Sequence, residues 1–213
     1  MKRILCYGDS NTWGYTPGTG ARYSQLVRWT GICQQLLGPE YLILEDGLNG
    51  RTPAFDDYSG PRRNGYKSIG YSLVAQKPLD LIVVSLGTND LKFTGASGSG
   101  RGLDALLKLI EGFDYAYAAS SKVFPQGVKI LLVSPISLHP NAAGQALEYG
   151  HLRNYEQSLQ FSKFYGAIAQ AHGIQWLDAS AYAGASPIDN VHMDPESHAA
   201  LARAIADKIR EMV

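Results

Sequence analysis

The chain is poor in cysteine, balanced in charge and free of long apolar runs, and each shortage removes a class of function. Cysteine occurs at two places, Cys6 and Cys33. Both fall in apolar patterns, one of a strand and one of a helix. Buried free thiols are expected there rather than a disulfide, which points to the reducing cell interior. Lys+Arg and Asp+Glu balance at 19 each, without the basic excess that a phosphate backbone demands, so nucleic acid is not an expected partner. The opening MKRILCYGDS carries two positive charges but an apolar run of four residues before Gly8, shorter than a secretory signal needs. No stretch approaches the ~18 apolar residues of a membrane span, so no membrane partner is expected.

Several motifs are missing too. Without G-x-S-x-G there is no nucleophile elbow of the α/β-hydrolase kind. Neither G-x-G-x-x-G nor a P-loop is present, and GASGSGRG (95–102) fits neither spacing and reads as a flexible surface loop. There is no H-E-x-x-H and no paired C-x-x-C, so no metal and no other cofactor is expected.

What remains is an ordinary globular composition. The 213 residues are 45% hydrophobic and 18% charged, enough for a core without staples and in keeping with one domain over residues 1–213. Five short β-like runs recur: RILCY (3–7), YLILED (41–46), LDLIVVSLG (79–87), KILLVSPI (129–136) and IQWLDAS (174–180). The middle three are almost continuously apolar, as strands are when both faces are covered. Helical patterns fall at about 25–37, 67–76, 101–119, 154–172 and 195–212. Val27, Ile32, Leu36 and Leu37 give the first an inner stripe, Leu103, Leu106, Leu107 and Ile110 the third, and Leu201, Ala204, Ile205 and Ile209 the last. Asp194 suits the cap of the last helix, with Pro195 at its first position. Alternating strands and helices predict a three-layer α/β/α fold with a parallel sheet. Long loops at 50–66, 91–102 and 137–153 follow carboxyl ends of strands, the edge at which such sheets bind ligands.

Four short pieces rise to that edge. Gly8-Asp9-Ser10 ends the first strand, Gly47 and Gly50 follow the second, Asn89 lies in LGTND after the third, and DNVH brings Asp189 and His192 after the fifth. A serine hydroxyl is a weak nucleophile until a base takes its proton, and an imidazole held at its other nitrogen by a carboxylate does so near neutrality. The D-x-x-H spacing lets Asp189 hold His192. The N–H groups of Ser10 and Gly50 and the side-chain amide of Asn89 are candidate donors to an oxyanion. Asp9 reads as a turn or cap residue, and Asp90 as a turn former. His198 falls inside the last helix without an acid three residues before it. His139, ahead of Pro140, reads as a lid residue. Trp13, Tyr15 and Phe93 neighbour the site and are candidate substrate-binding residues, with core packing as the alternative. Arg28 and Trp29 read as structural, and the Arg62-Arg63-Asn64-Gly65 turn as a solvated loop or a subunit contact.

The blocks GDSNT, GLNGRT, LGTND and DNVH, in this order across most of the chain, resemble the SGNH (GDSL) hydrolase family. The resemblance implies a flavodoxin-like five-stranded parallel sheet ordered 2-1-3-4-5. It also implies Ser10 as nucleophile, His192 as general base and acid, Asp189 as its orienter, and an oxyanion hole of Ser10, Gly50 and Asn89. LCYGDSNTWGY, VRWTG, GLNGRT and LGTND are most similar to the bacterial arylesterase and acyltransferase subgroup. That implies small short-chain acyl esters as substrates, water or an alcohol as acceptor, and a homo-oligomer. The alternative is a carbohydrate acetylesterase. A non-catalytic flavodoxin-like module binding a flavin or phosphate would leave the acid–imidazole pair without a role. Asn11 stands where the G-D-S-L signature has Leu, a position expected to face away from the chemistry.

Overall fold

In a computed structural model of the chain, residues 1–60, 62–116, 121–145 and 155–213 are described. Five strands, β1 (Lys2–Gly8), β2 (Tyr41–Gly47), β3 (Leu81–Ser85), β4 (Ile130–Ser134) and β5 (Gln175–Asp178), form one sheet. Every pairing is parallel and the order is β2-β1-β3-β4-β5, the order expected. The register sets Gly8 beside both Gly47 and Ser85, so the strands end level along one edge.

Period-two alternation builds two cores. Leu5, Tyr7, Ile82, Val84 and Leu132 face one layer, while Ile4, Cys6, Leu81, Val83, Leu131 and Val133 face the other. The helices are α1 (Ser10–Trp13), α2 (Trp29–Leu37), α3 (Gly65–Gln76), α4 (Ala96–Ala116), α5 (Tyr155–Ser158), α6 (Phe161–His172) and α7 (Pro195–Met212). Residues of α3, α4 and α6 fill the first layer, and residues of α2 and α7 the second. Cys6 and Cys33 are free and buried in that second layer. The Asp194 carboxylate accepts from the Ser197 N–H at 2.8 Å and Pro195 opens α7, as the sequence predicts. Among the described residues no helix is long and apolar enough to cross a membrane.

Three expectations change. The stretch GASGSGRG is not a surface loop: α4 begins at Ala96 and runs through its glycines. Helix propensity is overruled by packing, because the glycines let neighbours in. A Cβ on Gly98 would overlap the Thr94 side chain, and one on Gly100 would crowd Ile168. Ser99 is buried between them and hydrogen bonds the Tyr165 hydroxyl at 3.1 Å. The first helix pattern starts late, at Trp29, and its inner face is Trp29, Thr30, Cys33 and Leu37, with Leu36 exposed and Val27 in a preceding turn. The 154–172 pattern is two helices, α5 and α6, and position 154 lies outside the described residues, as do 117–119 of the third pattern and 146–153 of the last long loop.

Candidate active site

The tight turn after β1 presents the first functional group. Asp9 caps α1, its Oδ1 accepting from the Asn11 N–H at 2.9 Å, and Ser10 is the first helical residue. The turn lies hard against β2: a Cβ on Gly47 would come within 2.2 Å of the Trp13 nitrogen. Only glycine lets the two backbones approach so closely.

The segment before α7 meets this turn. His192 Nε2 lies 3.0 Å from Ser10 Oγ, and His192 Nδ1 lies 2.7 Å from Asp189 Oδ2. Asp189 is held in place by its own loop, since Oδ1 accepts the N–H groups of Val191 and His192 at 3.0 and 2.9 Å. Asn190 between them takes a left-handed conformation, φ 65°, which Asn tolerates better than most residues. Burial alone would raise the Asp189 carboxyl, but the hydrogen bonds from the His192 ring and backbone outweigh it and hold the carboxyl below its ordinary range. An ionised Asp189 keeps the ring proton on Nδ1 and leaves Nε2 to accept the serine proton.

The turns after β2 and β3 bring the polar groups on the far side of Ser10. Gly50 has φ 82°. Asn89 sits in a short 3-10 helix, Thr88–Lys92. The Asn89 side-chain amide donates one hydrogen bond to the Arg51 carbonyl at 3.2 Å, and its nitrogen carries a second hydrogen. Arg51 is itself pinned, its guanidinium donating to the Gly8 carbonyl at 3.0 Å and to Asp46 Oδ1 at 2.8 Å and lying 4.0 Å from the Tyr7 ring centre. The ends of β1, β2 and β3 are thus tied together through one arginine.

Ser10, Gly50, Asn89, Asp189 and His192 all line a single cleft of about 290 Å³. Tyr15 lines it too, its ring stacked on His192 with centres 4.0 Å apart. Trp13 and Phe93 are not among its lining residues. Trp13 receives the Arg22 guanidinium 5.4 Å from its ring centre, and Phe93 stacks on Phe55 at 6.2 Å.

The chain as a whole is similar to solved proteins. The sequence profile of the GDSL-like lipase/acylhydrolase family matches residues 6–200. The chain belongs to that family. A carbohydrate acetylesterase family member from Sinorhizobium meliloti is 34% identical, with a TM-score of 0.89, over 100% of this chain and 99% of that one. A putative arylesterase from Agrobacterium tumefaciens is 34% identical, with a TM-score of 0.90, over all of both chains. The inhibitor-bound aryl esterase of M. smegmatis is 28% identical, with a TM-score of 0.89, again over all of both chains. A search of curated proteins finds no match. With these neighbours the chain is an SGNH-type carboxylic ester hydrolase.

In this SGNH hydrolase several residues have roles that the sequence did not reveal. Arg63, read as part of a solvated turn, instead lines the cleft and pairs with Asp57 at 2.8 Å. It packs over Gly50, where a Cβ would stand 2.7 Å from Arg63 Cδ. Asn49 and Lys92 also line the cleft. Lys92 lies three residues after Asn89 on the same turn, a spacing that marks a shared face. Nothing in the sequence ties Arg63 to Gly50. The Asp90 backbone does form the turn, but its carboxyl is fully buried, and burial, with the nearby Asp9 charge adding to it, pushes that carboxyl well up. His198 is fully buried; its Nδ1 accepts the Trp29 N–H at 3.2 Å and burial pushes its pKa down to about 4. The His139 backbone N–H donates to the Asn190 carbonyl at 3.1 Å, so the main chain of this segment braces the acid–imidazole loop. Arg28 pairs with Glu45 at 2.6 Å and Trp29 is buried in the core.

Proposed function

We propose that this ester hydrolase cleaves small short-chain acyl esters through an acyl-enzyme on Ser10. The observation that carries the reading is the unbroken line of contacts from Asp189 through His192 to the Ser10 oxygen, 2.7 and 3.0 Å, in a cleft also lined by Gly50 and Asn89. Ser10 Oγ attacks the carbonyl carbon while its proton passes to His192 Nε2. The oxyanion so formed takes hydrogen bonds from the N–H groups of Ser10 and Gly50 and the amide of Asn89. His192 then returns the proton to the departing alcohol oxygen as the ester C–O bond breaks. Water, or an alcohol, gives its proton to His192 Nε2 as it attacks the acyl carbon; the acyl–Oγ bond then breaks as His192 returns that proton to Ser10 Oγ, releasing an acid or a new ester. Tyr15 forms one wall of the site, with Trp13 and Phe93 as outer contacts for larger leaving groups.

The cleft volume of about 290 Å³ holds a small ester with both its acyl and its alcohol part. Asn49, Arg63 and Lys92 along the cleft favour a second reading, removal of acetyl groups from sugars, since these side chains suit a polyhydroxyl alcohol. A homo-oligomer inside the cell completes the proposal. The nearly fully exposed rings of Tyr58 and Tyr71 and the two buried free thiols support it, and light scattering measures its mass.

The test is chemical. Ser10→Ala abolishes turnover of an aryl acetate, and an organophosphonate adds its mass to the Ser10 peptide alone. Wild-type turnover by Ser10→Ala would sink the reading. Rates on acetylated xylose or glucose against aryl acetates decide between the two substrate classes.

A further inference from the structure

Asn11 and Met193 are 182 positions apart, and Asn11 Oδ1 accepts the Met193 N–H at 3.0 Å. Both are buried, Asn11 at 8% exposure and Met193 at 0%. Each adjoins a residue of the proposed machinery, since Asn11 follows Ser10 and Met193 follows His192. Asn11 does not line the cleft, as expected, and it joins the two halves of the site from behind.

The bond has rigid ends. The Asn11 N–H is anchored on Asp9 Oδ1 at 2.9 Å. On the other side the His192 carbonyl accepts the Ser186 N–H at 2.8 Å and the His192 N–H donates to Asp189 Oδ1 at 2.9 Å. A second polar bridge between these segments is Ser10 Oγ to His192 Nε2 at 3.0 Å. That bridge cannot hold the segments together through a reaction. Once the serine oxygen carries an acyl group it has no proton to give, and the imidazole must turn to the incoming acceptor. A buried N–H to carbonyl bond beside it is untouched by these steps and has no water to compete with it.

We propose that Asn11 is a positioning residue: its side-chain carbonyl keeps the Asp189–Met193 loop in register with the Ser10 turn, so that His192 stays within reach of the serine oxygen through both halves of turnover. This rests on the Ser10–His192–Asp189 reading above. Leucine, which the G-D-S-L signature carries here, has no acceptor and would leave the Met193 N–H buried without a partner. Aspartate has the same shape and retains the accepting oxygen.

Asn11→Leu and Asn11→Asp test it, with active sites counted by the burst of an aryl acetate and kcat and KM measured per active site. Asn11→Leu is expected to lose about 10- to 100-fold in kcat, the scale of a misplacement of about 1 Å, with KM little changed. Asn11→Asp is expected to recover most of that loss. Wild-type kcat in Asn11→Leu, or equal losses in both variants, overturns the proposal. Amide hydrogen exchange in the unaltered protein decides independently, even where a variant fails to fold. The Met193 amide is expected to be strongly protected, and exchange at the rate of an exposed loop amide overturns the proposal. An inactive Ser10→Ala beside a fully active Asn11→Leu sinks the positioning role alone, whereas an active Ser10→Ala sinks the esterase chemistry beneath it.

Discussion

The Tyr15 ring lies over the His192 imidazole, centres 4.0 Å apart and planes 25° from parallel. Tyr15 is itself tied to the Ser10 turn, its N–H donating to the Ser10 carbonyl at 3.0 Å. One side chain therefore braces the proposed base from the segment of the proposed nucleophile, and its face would attract an imidazolium formed when His192 takes a proton. Such stacks are worth about 0.5–1.5 kcal/mol, a factor of roughly 2 to 10. Steady-state kinetics on an aryl acetate should show that loss in kcat for Tyr15→Ala, and near wild-type values for Tyr15→Phe.

Asn89 offers a second, larger effect. Its amide is oriented by the bond to the Arg51 carbonyl, so the donor is set before substrate arrives. Asn89→Ala should lower kcat by about 10²–10³, as loss of one oxyanion donor does, with KM little affected. A loss confined to KM would remove Asn89 from the oxyanion site.

Gly50 is constrained twice. Its φ of 82° costs a residue with a Cβ about 1–2 kcal/mol, and the Arg63 side chain occupies the space a Cβ would need. Gly50→Ala should lower both the melting temperature and kcat. Adding Arg63→Ala relieves the contact but leaves the backbone strain and unpairs Asp57, so the relief should show as coupling in a double-mutant cycle: the double variant should lose less stability than the sum of the two single losses.

Two groups make stability depend on pH with opposite signs. His172 is held by Glu111 at its Nδ1, 2.9 Å, and by Asp104 at its Nε2, 3.0 Å. Burial would lower its pKa, but the two carboxylates outweigh burial and raise it. Its contribution is complete below the unfolded value of about 6.5 and fades as pH rises through the raised folded value. Asp57 is opposite: burial would raise it, but the Ser59 hydroxyl and Arg63 guanidinium outweigh that and hold it at about 2. Its contribution is present above its unfolded value of about 3.9 and disappears as pH falls towards 2. Melting temperatures across pH should flatten on the neutral limb in His172→Gln and on the acid limb in Arg63→Ala.

Short-chain acyl esters as substrates imply a steep dependence on acyl length. With one leaving group held constant, kcat/KM should peak at acetate or propionate and fall through hexanoate and octanoate. A maximum at octanoate would overturn the short-chain reading.

The strand runs were legible because alternation in and out of two cores leaves a pattern in the residues themselves: Ile4 and Cys6 go one way, Leu5 and Tyr7 the other. The four blocks were legible for a related reason. Chemistry limits which residue types can serve, and a parallel sheet sends the ends of its strands to one edge. The cap at Asp194 and the turn at Asp9 were readable because both are local, closed within three residues. The helix through GASGSGRG was not, because glycine is a poor helix former alone and succeeds here only by admitting Thr94 and Ile168.

The residues alone therefore determined the alternating α/β order and the inventory of a hydroxyl, an acid–imidazole pair and an amide. Only the tertiary structure decided that Tyr15 covers the imidazole, that Arg63 closes over Gly50, and that Asn11 holds Met193. Each of these is a contact between segments whose meeting depends on how the sheet and its loops close in space. Spacing along a chain encodes what lies within a turn or a strand; it carries no record of which distant side chain fills the room that a glycine leaves.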